Sequence, residues 1–424
     1  MTTQHYPPAA HEITPDPRIF TGEEQSFLVG ETLFLRGIEE EDAVRASGWR
    51  DSPYPINAER AGEIIKEMVE KPKPGSRFLI ACRRSDGEPV GSLSMSRWPG
   101  NDLDIPLTLY ANPALPDRET IKAEMLKLFI EWGASEGELP LVYVEFADTQ
   151  TELRTMAESL GMRYSALWRE QLWRDGAWRD KLAYAWHNPA WVPRLGEPGV
   201  GIEFALPVAD PSRWRPRQVP TYGTLDGDPL VNAVMVGPRV YLRPIEMEDA
   251  VTIVAGQRRE AETFFDEGRL PGSVARWRQH TRDLTKEDIQ EWVRFAVCLR
   301  ETGEIIGTNG IADIDLLNRT AETETFFHNA AYRGGGYGSE AKQLLLAYAF
   351  ERLGLHSVYS WVWGPNTRSA AALRKQGYRE SGRVFWAGTK NGEYTHAYTF
   401  DFLADEWREM TARAATAESM AFAR

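Results

Sequence analysis

Thr323-Glu324-Thr325-Phe326-Phe327 leads through His328-Asn329-Ala330-Ala331-Tyr332 into Arg333-Gly334-Gly335-Gly336-Tyr337-Gly338, and then into Ser339-Glu340-Ala341-Lys342-Gln343-Leu344-Leu345-Leu346. The first run predicts a strand, the glycines a loop, and the Leu/Ala/Gln-rich run a helix. Glycine lets successive backbone N–H groups turn toward one point. A helix start adds unpaired N–H donors and the positive end of its dipole. Together they make a nest for a pyrophosphate. Neither GxxxxGK nor GxGxxG is present, which disfavours ATP or NAD binding by the usual routes. Three glycines between a strand and a helix also make a plain tight turn, so the loop alone leaves its ligand open.

Around this segment the chain repeats itself. Leu35-Arg36-Gly37-Ile38-Glu39 with Glu41-Asp42-Ala43-Val44 returns 207 positions later as Leu242-Arg243-Pro244-Ile245-Glu246 with Glu248-Asp249-Ala250-Val251. Arg77-Phe78-Leu79-Ile80-Ala81-Cys82 with Gly87-Glu88-Pro89-Val90-Gly91 matches Arg294-Phe295-Ala296-Val297-Cys298 with Gly303-Glu304-Ile305-Ile306-Gly307. Gly161-Met162-Arg163-Tyr164 and Asp175-Gly176 match Gly377-Tyr378-Arg379-Glu380 and Asn391-Gly392 at an offset of 216. The order is kept throughout. We read two copies of one mixed α/β fold, residues 30–187 and 238–403, each a central sheet flanked by helices, with hairpin turns at the paired Asp-Gly, Thr-Gly and Asn-Gly steps. Residues 1–29 read as a flexible arm, 188–237 as a Pro-, Trp- and Arg-rich linker that packs on one domain, and 404–424 as a helical tail.

Arg-x-x-Gly-x-Gly between strand and helix resembles the acyl-coenzyme A pyrophosphate loop of the GCN5-related N-acetyltransferase (GNAT) superfamily. The surrounding sequence is similar to the subfamily that acetylates ribosomal-protein N-termini and many small amines. The carriers are Leu242-Arg243-Pro244, the run Asn329 to Ala341, Leu355-His356-Ser357-Val358-Tyr359, Asn366-Thr367-Arg368-Ser369-Ala370 and Leu373-Arg374-Lys375-Gln376-Gly377-Tyr378. The resemblance covers the second copy strongly and the first only through the repeat. It implies two tandem acyl-CoA N-acyltransferase folds, each with a cleft between two splayed central strands. Acetyl-CoA would lie there, its pantetheine along the strand carrying Phe326 and Phe327 and its pyrophosphate on Arg333, Gly334, Gly335, Gly336, Tyr337, Gly338 and Ser339. Asn366 matches the residue that commonly contacts the pantetheine, and Ser369 lies near the expected thiolate. Asn366 also reads as a plain helix N-cap.

An alkylammonium must lose a proton before it attacks a thioester, so a base near the cleft is expected. Glu322 and Glu324 alternate with Thr323 and Thr325, and period two puts both carboxylates on one strand face. Close together, they raise at least one pKa toward the base range and attract a cation. A solvated sheet face would carry the same pattern. His328, His356 and His396 read mainly as structural, and no His/Cys/Asp/Glu cluster has metal-ligand spacing, so no metal is expected.

The first copy reads as degenerate. Its equivalent loop, Tyr110-Ala111-Asn112-Pro113-Ala114-Leu115-Pro116-Asp117-Arg118-Glu119, has no glycine. Two prolines remove donors, and Asp117 and Glu119 bring negative charge. Gln150 and Leu153 stand where the second copy has Asn366 and Ser369. Trp168, Trp173, Trp178 and Trp186 crowd its last strands, either as packing or as a wall of an acceptor groove to which Arg213, Trp214 and Arg215 could add.

The 424 residues carry 49 basic and 62 acidic side chains, a formal net charge of −13. That balance disfavours nucleic-acid binding and suits a cationic substrate. Two cysteines without CxxC spacing argue against a disulfide scaffold and a thiolate zinc site. No long apolar run or apolar signal core is seen, so no membrane partner and a cytoplasmic location are expected. The expected activity is N-acetyl transfer from acetyl-CoA to a primary amine on a bulky small molecule or peptide, as in natural-product tailoring or resistance, by a monomer or homodimer. A longer or carrier-protein-bound acyl donor, or a non-catalytic acyl-CoA-binding module, are the alternatives.

Overall fold

The computed structural model describes residues 28–72, 76–95, 106–136, 139–201, 232–259, 272–284 and 290–422, with side chains to residue 413 in the last segment. The arm (residues 1–27) and most of the linker (residues 202–231), including Arg213, Trp214 and Arg215, lie outside the described residues.

In chain order the elements are β1 (Leu28–Val29), β2 (Leu33–Arg36), α1 (Ala46–Trp49), α2 (Ala58–Glu70), β3 (Arg77–Arg83), β4 (Pro89–Met95), β5 (Pro106–Ala111), α3 (Arg118–Ser135), β6 (Leu141–Ala147), α4 (Thr151–Ser159), β7 (Arg163–Arg174), β8 (Ala177–His187) and α5 (Val192–Leu195). The same series then returns as β9 (Met235–Val236), β10 (Val240–Pro244), α6 (Asp249–Arg259), α7 (Val274–Asp283), β11 (Val293–Leu299), β12 (Ile305–Asp315), β13 (Thr320–Phe326), α8 (Tyr337–Ala347), β14 (Ser357–Trp363), α9 (Thr367–Gln376), β15 (Arg379–Lys390), β16 (Glu393–Leu403) and α10 (Ala404–Phe422). This is a mixed α/β fold used twice.

The chain divides into two compact units. One holds residues 1–165, 182–201 and 385–388; the other holds 166–181, 202–384 and 389–424. In the first, β1 to β5 form an antiparallel meander and β5 pairs in parallel with β6. In the second, β9 to β13 do the same, β13 pairs in parallel with β14, and β14 pairs antiparallel with β16.

The repeat extends to side-chain contacts. Arg36 grips Asp42 through two nitrogens at 2.8 Å, while Asp42 also accepts the Glu39 N–H. Arg243 grips Asp249 at 2.6 and 2.8 Å, and Asp249 accepts the Glu246 N–H. Each pair ties a strand end to the turn that opens the next helix. The hairpin turns Asp175-Gly176 and Asn391-Gly392 place all four residues at positive φ, between 52° and 77°, the geometry that two-residue hairpins prefer.

The second unit's core lies between its sheet and α8, with Leu344, Leu345, Leu346, Phe400 and Phe402 fully buried. The start of α10 belongs to this core through Trp407 and Met410. The second unit also takes in Ala166–Lys181, the tip of the β7–β8 hairpin. Arg169 there binds Asp401 and Glu406, Gln171 donates to Ser357, and Gly382 of β15 pairs with Ala166.

Candidate functional site

The parallel pair β13–β14 holds register only over Thr320–Glu322 against Ser357–Tyr359. Beyond it, Thr323–Phe326 stays paired to β12, and Ser360–Trp363 stays paired to β16. The two strands therefore splay apart at Glu322, leaving a cleft between them. The loop to α8 follows the far end of β13, and α9 follows the far end of β14, so both open at the wide end of this cleft.

At that end Gly334 and Gly336 adopt φ 80° and 87°, a left-handed backbone that costs an L-residue about 1–2 kcal/mol. Gly336 opens the eleven-residue α8 with no side-chain cap. Among the described residues its first-turn N–H groups meet no side-chain acceptor, which leaves them open to a phosphate. Arg333 folds back on its own loop, donating from Nε and Nη2 to the Phe327 carbonyl at 3.1 and 2.5 Å. Tyr337 lies under the Arg239 guanidinium, 4.4 Å from ring centre to carbon. Ser339 is half-buried in the first turn of α8, and Phe326 ends β13 opposite Thr308. Gly338 packs close to the Phe327 ring, which a Cβ would meet at 3.4 Å. The uncapped helix end and the glycine backbone fit the diphosphate of an acyl-CoA.

Asn366 is the N-cap of α9: its Oδ1 accepts the Ser369 N–H at 3.2 Å. That leaves the Asn366 amide N–H2 for another acceptor. Ser369 is half-buried in the helix's first turn.

Two faces of the sheet meet at the splay. On the α8 face, Asn309 donates to Ala341 O at 2.8 Å. There Thr323 Oγ1 lies 2.8 Å from Ser360 Oγ and 2.7 Å from the Tyr378 hydroxyl. Lys342 of α8 is 2 % exposed, with Nζ 5.5 Å over the Tyr378 ring. On the opposite face lie Glu322 and Glu324, with Tyr359 and Trp361 of β14. Glu324 forms a 2.5 Å ion pair with Arg294, which also meets His280 at 2.8 Å and lies over Trp277 and Trp292. Glu322 Oε1 accepts the Trp361 backbone N–H at 3.4 Å.

The electrostatics single out Glu322. Burial first, then the neighbouring Asp313 carboxylate, pushes its carboxyl from 4.5 up to about 8, against the pull of the Trp361 N–H. Burial pushes Lys342 down to about 7, opposed by Glu324 and Glu322. A half-buried carboxyl whose pKa is raised to about 8 is a competent proton acceptor at neutral to alkaline pH.

His328 lies past the end of β13, buried, with Nε2 3.3 Å from Ile305 O and its ring against Gly256. His356 pairs with Glu170 at 2.6 Å and stacks flat on Trp178 at 3.8 Å. His396 lies against Gly364. Among the described residues no group of His, Cys, Asp and Glu is placed to hold a metal, and no helix is long and apolar enough to cross a membrane.

Sequence reasoning missed Lys342, Asp313 and Arg239. Lys342 stands among Ser339, Glu340 and Gln343 and so reads as an ordinary polar helix position; only the fold buries it. Asp313 and Arg239 reach the site through a strand bulge and a neighbouring strand, which spacing along one segment does not reveal.

The family model for the acetyltransferase (GNAT) domain matches residues 239–379. The uncharacterized N-acetyltransferase p20 of Bacillus licheniformis is 32% identical over 40% of this chain and 95% of its own. The chain belongs to the GNAT acetyltransferase family. The acetyltransferase YnaD of Bacillus subtilis, also uncharacterized, is 32% identical over 29% of this chain and 77% of its own. Among solved structures, the spermidine N-acetyltransferase of Vibrio cholerae in complex with CoA and spermine is 21% identical, covering 40% of this chain and 99% of that one, with a TM-score of 0.37. The family model and the two Bacillus relatives make the present protein an acetyl-CoA-dependent acetyltransferase that acts on an amine.

Proposed function

We propose that the second half of the chain carries out the transfer, with Glu322 as the general base and the Arg333–Ser339 loop as the seat of the coenzyme's diphosphate. The carrying observation is the Glu322 carboxyl, half-buried at the point where β13 and β14 part and pushed up to about 8. Acetyl-CoA supplies the thioester whose carbonyl the amine attacks and whose thiolate departs. Gly334, Gly335, Gly336 and Gly338 with the start of α8 hold the diphosphate through backbone N–H groups. Asn366 donates its free amide N–H2 to the pantetheine, alongside the strand edge at Phe326 and Phe327. Glu322 takes the ammonium proton, Glu324 with Arg294 shapes the acceptor face, and the Ser369 hydroxyl lies at the thiolate's end of α9.

The first half is read as a scaffold that holds no coenzyme. Its strands part in the same way after Pro106–Leu107 against Tyr143–Val144. Yet Pro106 and Thr108 stand at the positions of Glu322 and Glu324, and Asn112–Asp117 replaces the glycine loop. The acceptor is a bulky small molecule or peptide amine, in keeping with the subfamily that acetylates protein N-termini and small amines.

The test is steady-state release of CoA thiol from acetyl-CoA in the presence of a primary amine. Glu322→Gln is expected to lower turnover by about 10²–10⁴-fold while acetyl-CoA affinity stays unchanged. Full turnover in that variant overturns the assignment of the base.

A further inference from the structure

The β7–β8 tip, Ala166–Lys181, comes from the first half of the sequence and belongs to the second compact unit. It lies on the face that carries Glu322, Tyr359 and Trp361. Trp168, 1 % exposed, packs on Trp361 with ring centres 5.6 Å apart. Lys181 places its ammonium 4.9 Å over the Trp168 ring and 5.5 Å over the Tyr359 ring. Flat aromatic faces attract a cation at these distances. Lys181 also acts on Asp313, drawing its carboxyl down against the push of burial and Glu291.

The charges on this face can then be matched. Glu324 has Arg294 at 2.5 Å. Asp313 has Lys181. Glu322 has a backbone N–H from Trp361 on its own face, and Lys342 acts on it from the α8 side. Among the described residues Glu324 is the carboxylate of this face with a direct ion pair, and Glu322 meets only the Trp361 N–H at hydrogen-bond distance, so its carboxylate is left to receive an ammonium from outside. What surrounds that position is aromatic.

We infer that Trp168 and Lys181 are specificity residues of the acceptor site, which selects an amine with a single positive charge and a flat apolar body over an extended polyamine. This rests on the proposed function of Glu322. A second ammonium would meet Lys181 and Arg294 and be repelled. A planar apolar body gains contact with Trp361 and Tyr359, held in place by Trp168. The first half then serves the reaction without binding coenzyme: its hairpin finishes the acceptor face of the other half.

The experiment uses the full chain with acetyl-CoA and two probes, 2-phenylethylamine and 1,4-diaminobutane, reading kcat/KM for each by CoA release. The wild-type protein is expected to favour 2-phenylethylamine at least tenfold. Lys181→Ala is expected to raise kcat/KM for the diamine and so shrink that ratio severalfold. Trp168→Ala is expected to raise KM for 2-phenylethylamine with the KM for acetyl-CoA unchanged. A merely structural role for either residue would move both substrates' parameters together and leave the ratio alone, overturning the proposal. So would a wild-type preference for the diamine, or equal or no use of both probes. Binding of acetyl-CoA, measured separately, shows whether a failure belongs to this inference or to the catalytic reading beneath it.

Discussion

Glu340 and Arg239 lock the glycine loop to the edge of the second unit's sheet. One Glu340 oxygen accepts the Arg239 and Val240 backbone N–H groups at 2.7 and 3.0 Å, and the other meets Arg239 Nε at 2.8 Å. Arg239 Nη1 then donates to Gly335 O at 2.9 Å. The first unit keeps half of this clasp. Glu124 of α3 accepts the Thr32 and Leu33 N–H groups at 2.8 and 3.2 Å, but Thr32 stands where Arg239 does and its hydroxyl goes to the other Glu124 oxygen instead of to the loop.

The comparison separates stability from coenzyme binding. Glu340→Ala and Glu124→Ala each leave two strand N–H groups without their carboxylate, at about 1–3 kcal/mol. Both variants are expected to unfold at lower urea concentration by similar amounts. Only Glu340→Ala is expected to raise the KM for acetyl-CoA, by about tenfold. Equal KM values in the two variants would show that the clasp does not hold the loop in its binding form.

The rate should follow the ionisation of Glu322. A base must be deprotonated, and burial holds this carboxyl at about 8. Accordingly kcat/KM for the amine rises with pH, tenfold per unit below about 8, and levels off above it. In Glu322→Gln this limb disappears. A wild-type profile that is flat from pH 6 to 9 contradicts the assignment, once the amine's own ionisation is matched by using probes of different basicity.

The same carboxyl makes the fold sensitive to pH. Its folded pKa is raised from the ordinary 4.5 to about 8, so the folded state holds a proton that the unfolded state releases. The stability this contributes is complete below about pH 4 and is lost as pH rises through about 8, on the order of a few kcal/mol in all. Glu322→Gln removes that loss. Its Tm is expected to exceed the wild type's at pH 8.5 and to match it at pH 4. A variant less stable at pH 8.5 would mean that the ionised carboxylate is well compensated in place, by Lys342 or otherwise.

Asp401 anchors the β7–β8 tip. It is fully buried and accepts from Arg169 at 2.8 Å and from Arg379, whose Nε lies at 3.0 Å. Removing one partner of a buried ion pair leaves uncompensated charge and costs about 3–5 kcal/mol. Asp401→Asn is expected to lose that much in urea denaturation with an unchanged slope. A loss under 1 kcal/mol would show that Glu406 alone holds Arg169.

What the sequence made legible was local. The Arg333–Gly338 loop announces itself because the backbone geometry it needs is written in glycine, and α8 follows because its residues favour helix. The alternation of Glu322 and Glu324 with threonine gave their shared face. The repeat of Arg36/Asp42 as Arg243/Asp249 fixed the tandem fold, and the same contacts recur in both units. Asn366 read as either a cap or a ligand, and the structure shows the cap made by Oδ1 with the amide N–H2 to spare. Hidden from the sequence were the contacts that depend on distant chain. Lys342 and Glu322 sense each other only because the strands part, Asp313 arrives through a bulge, and the assignment of Trp168 and Lys181 to the second unit is a matter of tertiary packing.

The central claim is one working coenzyme site per chain, in the second half. Calorimetric titration of the purified protein with acetyl-CoA tests it most directly. The account predicts a stoichiometry of one per chain, with binding lost in Gly336→Trp, where φ 87° strains an L-residue and the indole would take the diphosphate's place beside Arg239. Two sites per chain would contradict the reading of the Asn112–Asp117 loop, and no binding at all, or binding that survives Gly336→Trp, would contradict the site itself.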